Sequence, residues 1–253
     1  VCAAGARREA RHLMCGRVGI ITRWQDRWSR EAFEVVPGPI ERYNVAPSRY
    51  RRKSDPDSIR WEHLPAVRPT DGGKRVDMLT WPLIPHWARG VLPEYSTANC
   101  RSEPDTPFSR VAGRKPAFRN AWNKQQRCIV LVSFFYEWDQ HSKPNQPWRV
   151  APLNEPFLAR AGLWDSSTPA EGEERVSCTI ITTQPNRLLH DIGHHRAPVI
   201  LSPDDWDHWL TAEPNAAQAL LAPRYPSEAL HAERVSRSVN NPDYDDPALM
   251  EPA

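Results

Sequence analysis

Apolar residues fall in short runs separated by polar, proline-containing stretches. The longest run, Arg127 to Trp138 (RCIVLVSFFYEW), is β-branched and aromatic and predicts a strand. VGIIT, following Gly16, predicts a short strand within Cys15 to Thr22. Phe157 to Trp164 and Val176 to Thr183 predict two more, separated by the polar turn Ser166 to Glu174. A helix is expected around Trp24 to Phe33, stopped by Pro37-Gly38-Pro39. Pro203 followed by DDWDHWL predicts a second helix, with Ser202 as N-cap and acidic residues in its first turn. Residues 50 to 75 are polar, charged and Pro-containing and read as a loop with room for one strand. The acidic end from Asn240 to Ala253 reads as a tail lying on or leaving the surface. No internal repeat or low-complexity tract interrupts this pattern.

With 253 residues, 40% of them hydrophobic and 25% charged, the chain suits one soluble domain with a real core. Its 26 prolines argue against long helices and for short strands joined by structured loops. A net charge of +2 neither requires nor excludes a nucleic-acid partner. Local charge is more telling: Arg42, Arg49, Arg51, Arg52 and Lys53 crowd one stretch, and Arg110, Arg114, Lys115, Arg119, Lys124 and Arg127 a second. Either could equally be a solvated loop. Cysteines 2, 15, 100, 128 and 178 form no CxxC pair and no regular spacing, which suits reduced thiols in a cytoplasm. No apolar run approaches the ~18 residues of a membrane span. The first thirteen residues, VCAAGARREARHL, lack the apolar stretch of a secretory signal and are expected not to belong to the mature protein. That organisation places an extension at 1–13, one domain at 14–241 and a C-terminal tail at 242–253.

Five segments carry chemistry. Met14-Cys15-Gly16-Arg17 comes first, because cleavage after Met14 would leave an N-terminal cysteine, an amine and a thiol on adjacent carbons. With pKa values near ~8 and ~8.5, both have nucleophilic fractions at neutral pH. An aldehyde suits such a pair: the amine condenses to a Schiff base and the thiol closes a thiazolidine. The bland reading makes Cys15 a small buried hydrophobe. Next is Arg42-Tyr43-Asn44-Val45-Ala46-Pro47, which suggests a shaped loop, or an ordinary turn. Third, Trp81-Pro82-Leu83-Ile84-Pro85-His86-Trp87 leads to Asn99-Cys100-Arg101-Ser102-Glu103. Its Trp and Pro side chains offer a stacking surface for unpaired bases or a core cluster, and Arg101 can pair with a phosphate. In the fourth, Tyr136-Glu137-Trp138, a carboxylate ends an apolar strand, either at its mouth or buried and suited to acid–base work. Last is His190-Asp191-Ile192-Gly193-His194-His195-Arg196-Ala197-Pro198. Its histidines invite a metal reading, but Gly193 and Pro198 weaken the helix that reading needs, and the HExxH glutamate is lacking. No metal and no cofactor is expected.

Taken in order, MCGR at 14–17, RYNVAP at 42–47, LIPHWA at 83–88, NCRSE at 99–103, FYEW at 135–138, HHRAPVIL at 194–201 and VSRSVNN at 235–241 resemble the SOS response-associated peptidase (SRAP) family, whose members crosslink to abasic sites in single-stranded DNA. The resemblance implies a single α+β domain, a curved, barrel-like mixed β-sheet flanked by short helices, with a DNA channel across one face. It implies Cys15 as crosslinking nucleophile and Asn99, Glu137 and His194 as its catalytic partners. His194 is preferred to His195 by the H-x-R-x-P spacing. It assigns DNA contacts to Arg17, Asn44, Pro47, Trp87, Arg101, Trp138 and Arg196. Departures from the family pattern are an extra residue at Gly193, Pro82 for Gly, Cys100 for Ala, Ser133-Phe134 for Asp-Gly, and the thirteen-residue extension.

The implied activity is covalent capture of an abasic site through a thiazolidine on Cys15, shielding the strand from cleavage in the DNA damage response. His194 is expected to handle the proton at the sugar ring oxygen, and Glu137 to relay protons at C1′, while Asn99 orients the sugar. The same residues would serve a thiol peptidase that cuts the Met14–Cys15 bond in cis. A non-covalent single-stranded DNA module relying on Trp87, Trp138 and the arginines is the alternative from another class, and a thiol hydrolase of small amides a further one. The partner is single-stranded DNA containing abasic sites. The protein is expected to be a monomer without membrane contact, cytoplasmic and nucleoid-associated when bound to damaged DNA.

Overall fold

The structure, a computed structural model, describes residues 16–21, 34–35, 40–50, 58–103, 106–108, 112, 115–222 and 225–253. The helix expected at Trp24 to Phe33, the extension at 1–13 and Cys15 itself lie outside the described residues. In chain order the strands are β1 (Val18–Ile21), β2 (Glu34–Val35), β3 (Glu41–Val45), β4 (Arg49–Tyr50), β5 (Ile59–Arg60), β6 (Glu62–Thr70), β7 (Gly73–Trp81) and β8 (Asn99–Arg101). They continue as β9 (Arg127–Val132), β10 (Phe134–Asp139), β11 (Gln146–Pro152), β12 (Leu158–Ser167), β13 (Arg175–Thr183), β14 (Ala197–Pro198) and β15 (Leu230–Arg234). Among the described residues, the helices α1 (Pro116–Asn123), α2 (Arg187–Asp191), α3 (Trp206–Thr211) and α4 (Pro214–Ala219) lie between these strands.

Strands β13, β12, β9, β6 and β7 pair in that order, and a parallel contact between β13 and β7 at Ser177 and Thr80 closes the ring into a five-stranded mixed barrel. A second sheet, β15-β11-β10-β1-β3, is antiparallel and packs beside it. The apolar run 127–138 serves both. It is not one strand: at Ser133 the chain leaves the barrel as β9 and enters the second sheet as β10. Ser133 makes the break by accepting from the Ile21 amide at 2.8 Å and donating to the Ile21 carbonyl at 3.0 Å, tying the corner to β1. Gly19 has no side chain because a Cβ there would overlap the Phe134 ring, so the unusual Phe134 is accommodated from across the sheet.

Strand periodicity explains why β9 is apolar from Cys128 to Val132. Cys128, Val130 and Val132 face one core cluster with Leu64, Leu79, Trp81, Cys178 and Ile180, while Ile129 and Leu131 face another beneath α1 and α3. Buried Arg127 holds the end of α3 by donating from Nε to the Trp209 carbonyl at 2.5 Å and from Nη2 to that of Ala212. Residues 50–75 hold more than the one strand expected. β4 and β5 pair, and β6 and β7 form a nine-residue hairpin in full register from Glu62 opposite Trp81 to Thr70 opposite Gly73. Pro65 and Pro69 hid it. They are tolerated because β6 meets β9 only at Ala66 and Val67.

The C-terminal segment is built into the fold. Leu249 and Val239 are buried with Phe134, Tyr136 and Trp138, and Val235 bridges to Pro252. Asp245 accepts the backbone N–H groups of Tyr43 at 2.6 Å and Asn44 at 2.9 Å and pairs with Arg42. Asp245→Ala would leave two amides and part of a guanidinium unsatisfied. The expected cost is about 2–4 kcal/mol, a melting temperature lowered by roughly 5–15 °C, which differential scanning fluorimetry would read.

Candidate functional site

Two buried ionisable side chains meet where the second sheet approaches the loop after α2. In β10, Phe134, Tyr136 and Trp138 face the C-terminal segment, so Phe135 and Glu137 face the opposite side. Glu137 is thereby a carboxylate on an apolar face, fully buried, and its Oε2 lies 3.0 Å from His194 Nε2. On the other side of the ring, His194 Nδ1 is 2.7 Å from the Arg196 carbonyl. A carbonyl only accepts, so Nδ1 carries a hydrogen. Nε2 then faces a Glu137 carboxylate oxygen, which sets a base and an acid side by side on an apolar face. Such a dyad can give a proton from one side and take it back on the other.

The loop that aims His194 is a helix C-cap. Asn186 caps the start of α2, accepting from the Leu189 amide at 3.1 Å. At the other end, Gly193 N–H donates to His190 O at 2.9 Å and His194 N–H to Leu189 O at 2.9 Å, the two bonds of a Schellman motif. Gly193 occupies its left-handed position with φ of 82°, and a Cβ there would sit 2.5 Å from Asp139 Oδ1. The residue that looks extra against the family pattern is the one that turns the chain so that His194 reaches Glu137. Gly193→Ala is expected to lower stability by about 1–3 kcal/mol through the strained φ and the clash. With His194 displaced, it should also slow any chemistry of the dyad by up to ~100-fold. A denaturant melt and a single-turnover rate would check both.

Asn99 and Arg101 project from the same side of β8, with Cys100 between them in the core. β8 lies parallel to β13, with Asn99 opposite Ile180 and Arg101 opposite Thr182, and β14 flanks the other edge of β13 at Thr182 and Thr183. Arg196 staples these pieces. Its Nη2 donates to Ser102 O at 2.9 Å and Thr182 O at 2.8 Å, and its Nη1 pairs with Glu103 at 3.3 Å. Arg196, expected at the DNA, is thus buried and holds the His194 loop to the end of β8. Arg101 is exposed beside it. The His195 ring stacks on His194 at 5.3 Å, and partial burial plus the charges of His194, Arg101 and Arg196 lower its pKa. His190 and Asp191 are exposed on α2, apart from buried His194, and no group of three or more His, Cys, Asp or Glu among the described residues could hold a metal ion.

On the side of β1, Val18 pairs with Phe135 and the Tyr136 amide donates to Arg17 O at 3.0 Å, so the chain running back toward Gly16 lies along the Glu137 end of β10. Arg17 Nη1 donates to Asn44 Oδ1 at 2.9 Å and Val239 O at 2.6 Å, and Nη2 to Asn240 O at 3.2 Å. Burial, reinforced by Arg49 and opposed by Asp243, lowers its guanidinium to about 10. Asn44 is not a surface contact. It is fully buried, and its Nδ2 donates to Val239 O at 3.2 Å, Asn241 O at 2.9 Å and Tyr244 O at 2.9 Å. Pro47 is buried too, beside Ser48, whose amide donates to Trp81 O at 2.6 Å. Trp138 is 8% exposed and donates through Nε1 to Asn240 Oδ1 at 2.7 Å, which makes it a packing residue with one edge near the site. Trp87 does present its ring, at 47% exposure. Val91 and Tyr95, which the motifs do not single out, stand exposed on the same loop.

Cys100, Cys128 and Cys178 are buried, and burial pushes their thiols up, to about 12 for Cys100 and Cys128. None of the three is a nucleophile at neutral pH. Among the described residues no helix is long and apolar enough to cross a membrane.

The family model for SOS response associated peptidase (SRAP) matches residues 14–242. Abasic site processing protein YoqW of Bacillus subtilis is 32% identical over 245 residues, covering 94% of this chain and 99% of that protein. Abasic site processing protein HMCES of Gallus gallus is 30% identical over 255 residues, covering 91% of this chain and 70% of that protein. A crystal structure of a Bordetella bronchiseptica protein superposes with a TM-score of 0.68 at 25% identity, covering 88% of this chain and 100% of that one. The chain belongs to the SOS response associated peptidase (SRAP) family.

Proposed function

We propose that this protein captures abasic sites in single-stranded DNA as a covalent thiazolidine on Cys15. The observation that carries the reading is the buried Glu137–His194 pair, 3.0 Å apart with the imidazole oriented by the Arg196 carbonyl, at the end of β10 along which the chain runs back toward Gly16. Three further facts support it. The relatives are named abasic site processing proteins, the family match begins at Met14, and Cys100, Cys128 and Cys178 are buried and inert.

The reaction balances without a cofactor. The Cys15 amine adds to the C1′ aldehyde of the ring-opened sugar, water leaves to give the imine, and the thiol adds across the C=N bond, with one water lost in all. Ring opening needs a proton delivered to the ring oxygen, and carbinolamine collapse needs one delivered to the departing hydroxyl. His194 and Glu137 exchange that proton between them, and Asn99 orients the sugar. Ring closure by the thiol removes the imine before β-elimination breaks the strand. Arg101 and Arg17 serve phosphates and Trp87 a base, so binding is sequence-tolerant and salt-sensitive.

The test is the intact mass of protein expressed from Met14 before and after incubation with a single-stranded oligonucleotide carrying one abasic site. A gain of the oligonucleotide minus water, stable to denaturant and absent in Cys15→Ser, is the expected result. No adduct from a protein whose mass begins at Cys15 would overturn the covalent mechanism and leave a non-covalent single-strand binder.

A further inference from the structure

Arg49 and Arg60 stand directly opposite each other in the β4–β5 ladder. Like charges in that position repel, so an anion between them is required to keep both guanidinium groups in place. The anion shared by both is Asp243, whose Oδ1 takes Arg49 Nη2 at 2.8 Å and also pairs with Arg60 Nη1, while buried Glu62 accepts from Arg60 Nε at 2.6 Å and leaves Nη1 to the exposed side. Asp243 is 64% exposed, and ion pairs so open to water are weak enough to exchange. Its loop does not depend on it. Asn241 and Tyr244 are held through their carbonyls by Asn44, and Asp245 by the amides of Tyr43 and Asn44. The carboxylate can therefore leave without the backbone moving.

The cluster is continuous with the candidate site. Asn240 takes Trp138 Nε1 on its side chain at 2.7 Å and Arg17 Nη2 on its carbonyl at 3.2 Å, and Arg17 in turn feels both Arg49 and Asp243. Tyr244, next to Asp243, is 38% exposed and offers a face on which a base can stack. We infer that Arg49 and Arg60 form a backbone-phosphate subsite on the path of the single strand, and that Asp243 occupies it in the DNA-free protein as an internal stand-in for the phosphate. The strand then exchanges one anion for another, which lowers affinity for intact DNA without weakening the covalent step. This rests on the DNA-binding reading above.

Fluorescence anisotropy with an undamaged oligothymidylate, across a salt series, tests it. Asp243→Asn should bind roughly 3–10-fold tighter at ~50 mM salt, because the Asp243 carboxylate no longer competes for Arg49 Nη2 and Arg60 Nη1. The pair Arg49→Gln with Arg60→Gln should bind more weakly, with the salt slope reduced by about 0.7 for each phosphate no longer neutralised. In that double background Asp243→Asn should have no effect, and Asp71→Asn, an exposed turn residue, should change little in any background. Asp243→Asn matching wild type, tightening that persists without the two arginines, or an equal gain from Asp71→Asn would each overturn the proposal. Adduct yield of the same proteins on an abasic strand separates the two readings. Asp243-dependent binding without any adduct would sink the covalent mechanism alone, and normal adduct without Asp243 dependence would sink this inference alone.

Discussion

Glu137→Gln is expected to slow adduct formation by about 10²–10⁴-fold while leaving equilibrium binding to an abasic strand within roughly 3-fold. The substitution keeps the shape of the site. His194 Nδ1 stays committed to the Arg196 carbonyl, and Nε2 can accept from the new amide across the same 3.0 Å gap. What disappears is the mobile proton, since an amide neither takes one up nor gives one away at neutral pH. His194→Ala removes the same proton less cleanly. It takes His194 away from a buried Glu137 carboxylate, at a cost of about 3–5 kcal/mol, so part of its loss of rate would reflect a loosened fold. Rate and affinity must therefore be read separately, by single-turnover gel analysis and by anisotropy, with a thermal melt beside them. Glu137→Gln crosslinking at the wild-type rate would show that the dyad is a buried structural pair and that the proton comes from elsewhere.

The sequence made the barrel legible where both faces of a strand are buried. β9 announces itself because alternate side chains enter two different apolar clusters, so every position from Cys128 to Val132 is apolar, and β12 and β13 show through their largely apolar stretches Leu158–Trp164 and Cys178–Ile181. It concealed strands that carry proline and charge. Glu62–Thr70 holds two prolines, two charges and a histidine, yet it pairs along its full length with β7; the Asp71-Gly72-Gly73 turn was the signal that could have revealed it. At the site, the spacing of Glu137 and His194 was readable from the motifs, and the structure brings the two together. Motifs do not separate side chains that touch a ligand from those that hold the former in place. Asn44, Pro47, Trp138 and Arg196 are of the second kind by burial and bonding, each fastening the C-terminal segment, the β3 loop or the His194 loop. Hydrogen bonds between residues some 200 positions apart, such as Asn44 to Tyr244, leave no local trace.

Chains that retain residues 1–14 should give no denaturation-stable adduct at all, whatever their affinity for DNA. An amide nitrogen at Cys15 is not nucleophilic, so the imine cannot form, and the thiol alone yields only a hemithioacetal that reverts when the protein unfolds. The effect is therefore all or none, unlike that of the dyad, which changes rate. Placing a specific protease site before Cys15 in the full chain supplies the comparison within one preparation: no adduct before cleavage, and stoichiometric adduct after it. Should the uncut chain free Cys15 by itself during incubation, its mass would fall by residues 1–14 as adduct appears, and Glu137→Gln and His194→Ala would show whether the dyad performs that cleavage as well. A stable adduct on protein whose mass still includes residues 1–14 would rule out thiazolidine chemistry and point to a side-chain amine as the nucleophile.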